Sequence, residues 1–426
     1  MTTRIRLWTN ISTSMLIIGG ASLAVAQAGE VPAAHGGTFQ LAANTEGGEG
    51  GEGGEGGEGG AALSTYSLGS TDPNAFAYDA TAEIAAYAAH VKSSYAAAAA
   101  GARELQTAVD AFLAAPAEET LAKAREAWVK ARPAYLKTEA FRFYDGPIEE
   151  VEGRINAWPL NEAFIDYVKD DLKAGIINDP AKPLTLEAIT AANQVSDEAD
   201  VTTGWHAIEF LLWGQDLSDT GPGARPASDY TPGTETNDRR RTYLKLVTDL
   251  LVSDLEGLVA DWDAAKPDSY AARFLKLPQR EALGRAMNGM AVLAGFEFMS
   301  ERLAVALDSG DQEDEHSCFS DTTKQDFVYD LEGMAEAWFG TDAKGPSFAK
   351  LLATRDAKLA EEVSALFADA KAKIAALGDP WDRVLAADKG TPPRDAAEAA
   401  VASLAALAEG LKKAGAKLGV LVQIPS

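Results

Sequence analysis

The sequence predicts an all-α protein, and three observations carry that prediction. Alanine dominates an apolar fraction of 46%, and alanine with leucine, lysine and glutamate favours helix. From Tyr78 onward apolar residues recur at helical spacing. Runs of alternating apolar and polar residues, the mark of a half-buried strand, are almost absent.

The elements follow in order. Residues 1–28 read as a secretory signal peptide, with Arg4 and Arg6 at a basic start, an apolar run from Met15 to Val25, and a small-x-small cleavage site at Ala26-Gln27-Ala28. Cleavage near Ala28 predicts a periplasmic or secreted protein with no transmembrane segment in the mature chain. Cys318 is the only cysteine, which excludes an intramolecular disulfide and an N-terminal lipid anchor. Residues 29–77 read as a Gly/Glu-rich tether around five Glu-Gly-Gly repeats from Glu46 to Gly60, a composition expected to be flexible and to resist compaction.

Helix is predicted from Ala80 to Ala114, with Ile84, Tyr87, Val91, Tyr95, Leu105, Val109 and Phe112 on one stripe and His90 packed among them. A second helix begins after Pro116, with Glu118 and Glu119 in its first turn, and runs to about Phe143, with Pro133 expected to kink or interrupt it. Asp145-Gly146-Pro147 marks a turn. Short helices are predicted over Asn161–Ala174 and Pro183–Ala192, and a central one over Thr203–Trp213. Ser218 to Asn237 is either a surface loop packed on the body or a boundary between halves. Beyond it come helices over Arg240–Lys266, Pro278–Leu307, Asp326–Trp338, Ser347–Leu377 and Pro393–Lys417. The segment Glu313–Asp321 is too polar for a core. Long helices flank a polar segment in each half, which points to a duplication with a first domain over 78–235 and a second over 236–426.

The formal charge of -26, from 38 Lys+Arg against 64 Asp+Glu, repels phosphate backbones and argues against a nucleic-acid partner. It attracts cations. The carboxylates that call for explanation are those in apolar surroundings. Gly204-Trp205-His206-Ala207-Ile208-Glu209-Phe210-Leu211-Leu212-Trp213 is apolar on nearly every side and should be buried, yet His206 and Glu209 project from one face of it. Burial of a carboxylate requires pairing, a hydrogen bond or a metal. Imidazole with carboxylate suits iron, zinc, copper or manganese. The alternative is an internal hydrogen bond in which Glu209 orients His206. His-Glu-x-x-His, Gly-x-Ser-x-Gly and phosphate-binding loops are all absent.

The string Gly204-x-His206-x-x-Glu209, extended through Gln215-Asp216, resembles the signature of the imelysin family. Phe141 to Ile148, Asn156 to Pro159, and Glu315 to Asp321 fit as well, most closely in the branch of iron-regulated protein A. The resemblance implies two helical-bundle domains with a cleft between them that contains His206 and Glu209. It implies a bound transition metal, iron with zinc as the alternative, and a role in iron uptake or delivery alongside other iron-uptake components. A zinc-dependent metallopeptidase with Glu209 as ligand or base is the second reading, although no complete peptidase ligand set is present. A cleft for a peptide or other non-metal ligand is the third.

Glu139 and Asp145 flank an aromatic turn and are candidates for the remaining metal ligands. Arg142 would supply a counter-charge in the cleft, or else a structural salt bridge. His316 and Asp321 could face the cleft from the second half, against the alternative of an exposed loop histidine. Cys318 reads as a small buried hydrophobe.

Overall fold

The computed structural model describes residues 75–425. The expected signal peptide and nearly all of the Glu-Gly-Gly tether lie outside the described residues. Helix α1 (Thr81–Ala114) buries the predicted stripe. Helix α2 (Glu118–Leu136) begins with Glu118 and Glu119, whose charges complement the positive end of the helix dipole. It ends seven residues short of the expected Phe143. Pro133 lies inside the helix without ending it, and beyond its end Phe143 and Asp145 take left-handed backbone angles, φ 67° and 59°.

Helix α3 (Gly204–Trp213) is buried at all ten positions. Helix α4 (Glu235–Asp261) is capped by the Thr234 hydroxyl, which accepts from the Asn237 amide. Helix α5 (Gln279–Val292) widens into a π-helical stretch, Leu293–Ala304, before an α-helical end at Val305–Ser309. Helix α6 (Thr323–Phe339) follows. The predicted helix over Ser347–Leu377 is two helices, α7 (Phe348–Arg355) and α8 (Ala357–Ala375). Asp356 between them is extended, and its carboxylate caps α8 by accepting from the Leu359 amide. Helix α9 (Pro392–Lys417) opens with proline, whose missing N–H is no loss at that position.

Helix α1 packs on α2 and α4, α3 lies against both α2 and α4, α6 packs on α2, and α9 packs on α5, its π-helical extension and α8. Contacts therefore run freely across position 235. Gly333 on α6 lets it approach the end of α2: a Cβ there would sit 2.4 Å from the Lys137 carbonyl oxygen. Among the described residues there is no strand, only an isolated bridge between Val168 and Asp171, and no helix is long and apolar enough to cross a membrane.

Two further expectations need correction. Asn161–Ala174 is helical only over Glu162–Ile165, because Asp166 leaves the helix in an extended conformation to meet Arg225 and Arg240. The segment expected to be too polar for the core is buried from Asp314 to Ser320. Several of its polar groups find partners inside: the Ser317 amide donates to the Thr323 hydroxyl and the Ser320 amide to Glu209. The loop from Ser218 to Asn237 is packed on the body, as one reading had it. Its Arg225 amide donates to the Trp213 carbonyl and its Gly223 amide to the Phe319 carbonyl.

Candidate functional site: a histidine pair around a buried arginine

Gly204 opens α3 with φ +86°. This left-handed start turns the chain so that His206 and Glu209 face α2 and the Glu315–Ser320 loop. His206 Nδ1 lies 3.0 Å from Glu209 Oε2, and its Nε2 lies 3.1 Å from Arg132 Nη2 on α2. Glu209 Oε1 accepts from the Ser320 amide at 3.0 Å and from its hydroxyl at 2.6 Å. Four groups converge with almost no exposure: Arg132 and His206 at 1%, Glu209 and Asp326 at 0%.

His316 mirrors His206. Its Nδ1 lies 2.7 Å from Asp326 Oδ2 on α6, and its Nε2 lies 3.5 Å from the same Arg132 Nη2. The imidazole centroids are 4.9 Å apart. The Ser317 hydroxyl also donates to Asp326 Oδ2, at 2.5 Å, and Trp158 Nε1 donates to the Glu315 carbonyl at 2.5 Å, which fixes the backbone beside His316.

Arginine only donates. Both Nε2 atoms must therefore present lone pairs to the guanidinium, so each Nδ1 carries its proton toward a carboxylate. Two imidazole lone pairs thus converge on one cationic group, each ring held by an acid behind it. That is the arrangement in which metal-binding histidines are commonly oriented. Here the cationic group is the Arg132 guanidinium itself. Its other nitrogen, Nη1, donates to Asn156 Oδ1 at 2.5 Å, and its plane lies among Trp128, Tyr135 and Trp205. Asp326 Oδ1 is buried without a hydrogen-bond partner.

Burial first, and then the Arg132 charge, hold the His206 pKa well below its ordinary value. Burial, with Arg302 and Arg132, does the same for His316. Burial pushes Glu209 up to about 8, against the lowering effect of the Ser320 donors. Both rings are neutral near pH 7, which leaves each Nε2 a lone pair directed at Arg132.

The family profile Imelysin matches residues 91–412. The chain belongs to the imelysin family. It is similar to Iron-regulated protein A of Synechococcus elongatus, at 24% identity over 325 residues that cover 74% of this chain and 80% of that protein. In structure it resembles an iron-regulated protein A precursor from Parabacteroides distasonis, with a TM-score of 0.63 and 19% identity over 79% of this chain and 94% of that one. An imelysin-like protein from Psychrobacter arcticum gives a TM-score of 0.55 and 15% identity, covering 80% and 98% of the two chains. At these identities the structural likeness shows the fold.

In this imelysin-family chain the residues singled out from sequence fall in four places. His206, Glu209 and His316 come together. Glu139 joins a separate buried ion network: its Oε2 accepts from Arg142 at 2.7 Å and Arg302 at 2.5 Å, and Arg302 also reaches Asp330 at 2.7 Å. Burial pushes the Glu139 carboxyl up, but Arg142 and Arg302 outweigh it and hold it well below the usual range. Arg142 thus makes the structural pairing that was its alternative reading, with Glu152 at 3.3 Å as a further partner. Asp145 is exposed, beside a cavity also lined by Asp261, Arg273 and Arg285. Asp321 lies with Asp216 and Asp382, the one trio of potential ligands among the described residues whose ligating atoms are all within 4.8 Å of one another.

Arg132, Asp326 and Ser320 were missed. Arg132 and Asp326 each read in sequence as an ordinary charge on a helix, and Asp326 as a first-turn complement to the dipole. Only the fold shows them buried.

Gly204→Ala should disable the site through the backbone. A Cβ there would sit 2.4 Å from the Ile155 carbonyl oxygen, and alanine disfavours the positive φ. The expected loss is more than about 1 kcal/mol, read as a lower urea midpoint.

Proposed function

We propose that the protein binds a transition-metal ion, iron first and zinc as the alternative, at the Nε2 atoms of His206 and His316, for uptake or delivery of the metal after export to the periplasm. The observation that carries this reading is the convergence of two neutral imidazole lone pairs on one point, each ring anchored through Nδ1 by a buried carboxylate. Glu209 and Asp326 would orient the rings and balance the ion's charge, and the unpartnered Oδ1 of Asp326 is a candidate third ligand. Arg132 would withdraw as the ion enters. The names of the relatives, iron-regulated protein A among them, support the choice of iron.

A peptidase would need a carboxylate free to take a proton from water. Both Glu209 oxygens already accept hydrogen bonds, so Glu209 is engaged in orienting His206 and the Ser320 loop.

The test is titration of chelator-treated protein with ferrous, ferric and zinc ions. One ion per chain should bind wild type, and affinity should fall by at least tenfold, about 1.4 kcal/mol, in His206→Ala and in His316→Ala. Equal binding in all three proteins would refute the proposal.

A further inference from the structure

The loop that carries His316 also meets a second set of ligating atoms. Asp216 follows α3, Asp321 ends the loop, and Asp382 begins the short helix Asp382–Leu385. One carboxylate oxygen from each lies within 4.8 Å of the others. Asp216 Oδ2, Asp321 Oδ1 and Asp382 Oδ2 are buried without a hydrogen-bond partner.

Glu315 points to the same place independently. It is 0% exposed, neither of its oxygens has a partner within hydrogen-bond distance although the Thr323 hydroxyl lies nearby, and its carboxyl lies against Asp382. Among the described residues no lysine or arginine forms an ion pair with any of the four. Buried carboxylates in that position need a counter-ion or a proton.

Other contacts aim the free oxygens inward. Asp216 Oδ1 accepts from the Ser218 amide at 2.9 Å, and Asp382 Oδ1 accepts from Gln312 Nε2 at 2.7 Å. The same Gln312 nitrogen donates to the Ser218 carbonyl at 2.7 Å, tying the two ends of the cluster together. Asp321 is held at φ 56°, a left-handed angle uncommon outside glycine.

We propose that Asp216, Asp321 and Asp382, with Glu315 beside them, form a second site, for a hard divalent cation of the calcium class. The donor set is carboxylate oxygen alone, with no nitrogen or sulfur, and among divalent ions such sets suit calcium better than ferrous iron or zinc. Oxygens on opposite sides of one calcium ion lie roughly 4.8 Å apart, twice a bond of about 2.4 Å, which the cluster accommodates. A bound ion would join the end of α3, the His316 loop and the start of Asp382–Leu385. Two of its ligands, Glu315 and Asp321, lie in the loop that presents His316. The site shares no ligand with the histidine pair and does not depend on that pair binding metal.

The full chain, stripped with chelator, is titrated with calcium chloride alone in a calorimeter at neutral pH. One ion should bind per chain in wild type and equally in His206→Ala, and its melting temperature should rise with calcium. Asp321→Asn and Asp382→Asn keep the side-chain shape and remove one negative charge each, and binding in both should weaken at least tenfold. Absence of calcium heat and of any melting shift in wild type would overturn the proposal, since the carboxyls would then be sharing protons instead. Calcium binding of equal strength in wild type and both Asn variants would overturn it too, by locating the ion on the acidic surface.

Discussion

Asp166→Asn is expected to destabilise the protein by about 3–5 kcal/mol, the usual consequence of removing one partner from a buried ion pair. Asp166 is fully buried and accepts from Arg225 Nη1 at 2.7 Å, from Arg240 Nε at 2.6 Å and Nη2 at 2.9 Å, and from Asn178 at 3.0 Å. Arg225 and Arg240 are themselves buried, at 3% and 2% exposure. The variant would leave two guanidinium groups inside the protein without their shared counter-charge. Urea unfolding at neutral pH measures the loss. Burial raises the Asp166 pKa, but Arg225 and Arg240 outweigh it and hold it below its ordinary value. A carboxyl depressed in the folded state stabilises fully above its unfolded pKa, about 3.9, and loses that contribution as pH falls through the folded value. The difference between wild type and variant should therefore be constant near neutrality and shrink below about pH 4.

Arg132→Gln should raise affinity for zinc or ferrous ion by at least tenfold, about 1.4 kcal/mol, while lowering stability. The guanidinium lies 3.1 Å from one Nε2 and 3.5 Å from the other, so an arriving cation meets a like charge in a buried, poorly screened place. Glutamine is neutral and shorter, and leaves both lone pairs accessible. The stability loss comes from Asp326, 3.7 Å from Arg132, and from the aromatic groups around the guanidinium. Calorimetric titration of wild type and variant reads the affinity, and a fall in affinity would mean that Arg132 helps to hold the ion's ligands instead of taking its place.

The helices were legible where one signal dominated. The stripe from Ile84 to Phe112 and the all-round apolar character of α3 left no alternative, and burial of His206 and Glu209 followed from the second. The break at Asp356 was not legible, since α7 and α8 keep helical composition on both sides and the break depends on one cap. Nor was the extended chain after Ile165, where Phe164, Ile165, Tyr167 and Val168 fit a helix and the pull of Arg225 and Arg240 comes from distant sequence.

The candidate site divides the same way. His206 and Glu209 are one turn apart and could be paired from spacing. His316 was a candidate, but its alignment beside His206, and the roles of Arg132 and Asp326, depend on α2, α3, α6 and a loop meeting in space. Glu139 looked like a ligand because it sits beside an aromatic turn. Its partners Arg302 and Asp330 are far along the chain, and Arg302 lies on a π-helical stretch whose widening has no sequence signal of the kind used for ordinary helices.

X-ray absorption at the metal edge of the iron- or zinc-loaded protein reads the ligands themselves. Two imidazole nitrogens are predicted in wild type, one in His206→Ala and one in His316→Ala. A spectrum without imidazole scattering, or one left unchanged by either substitution, would contradict the account.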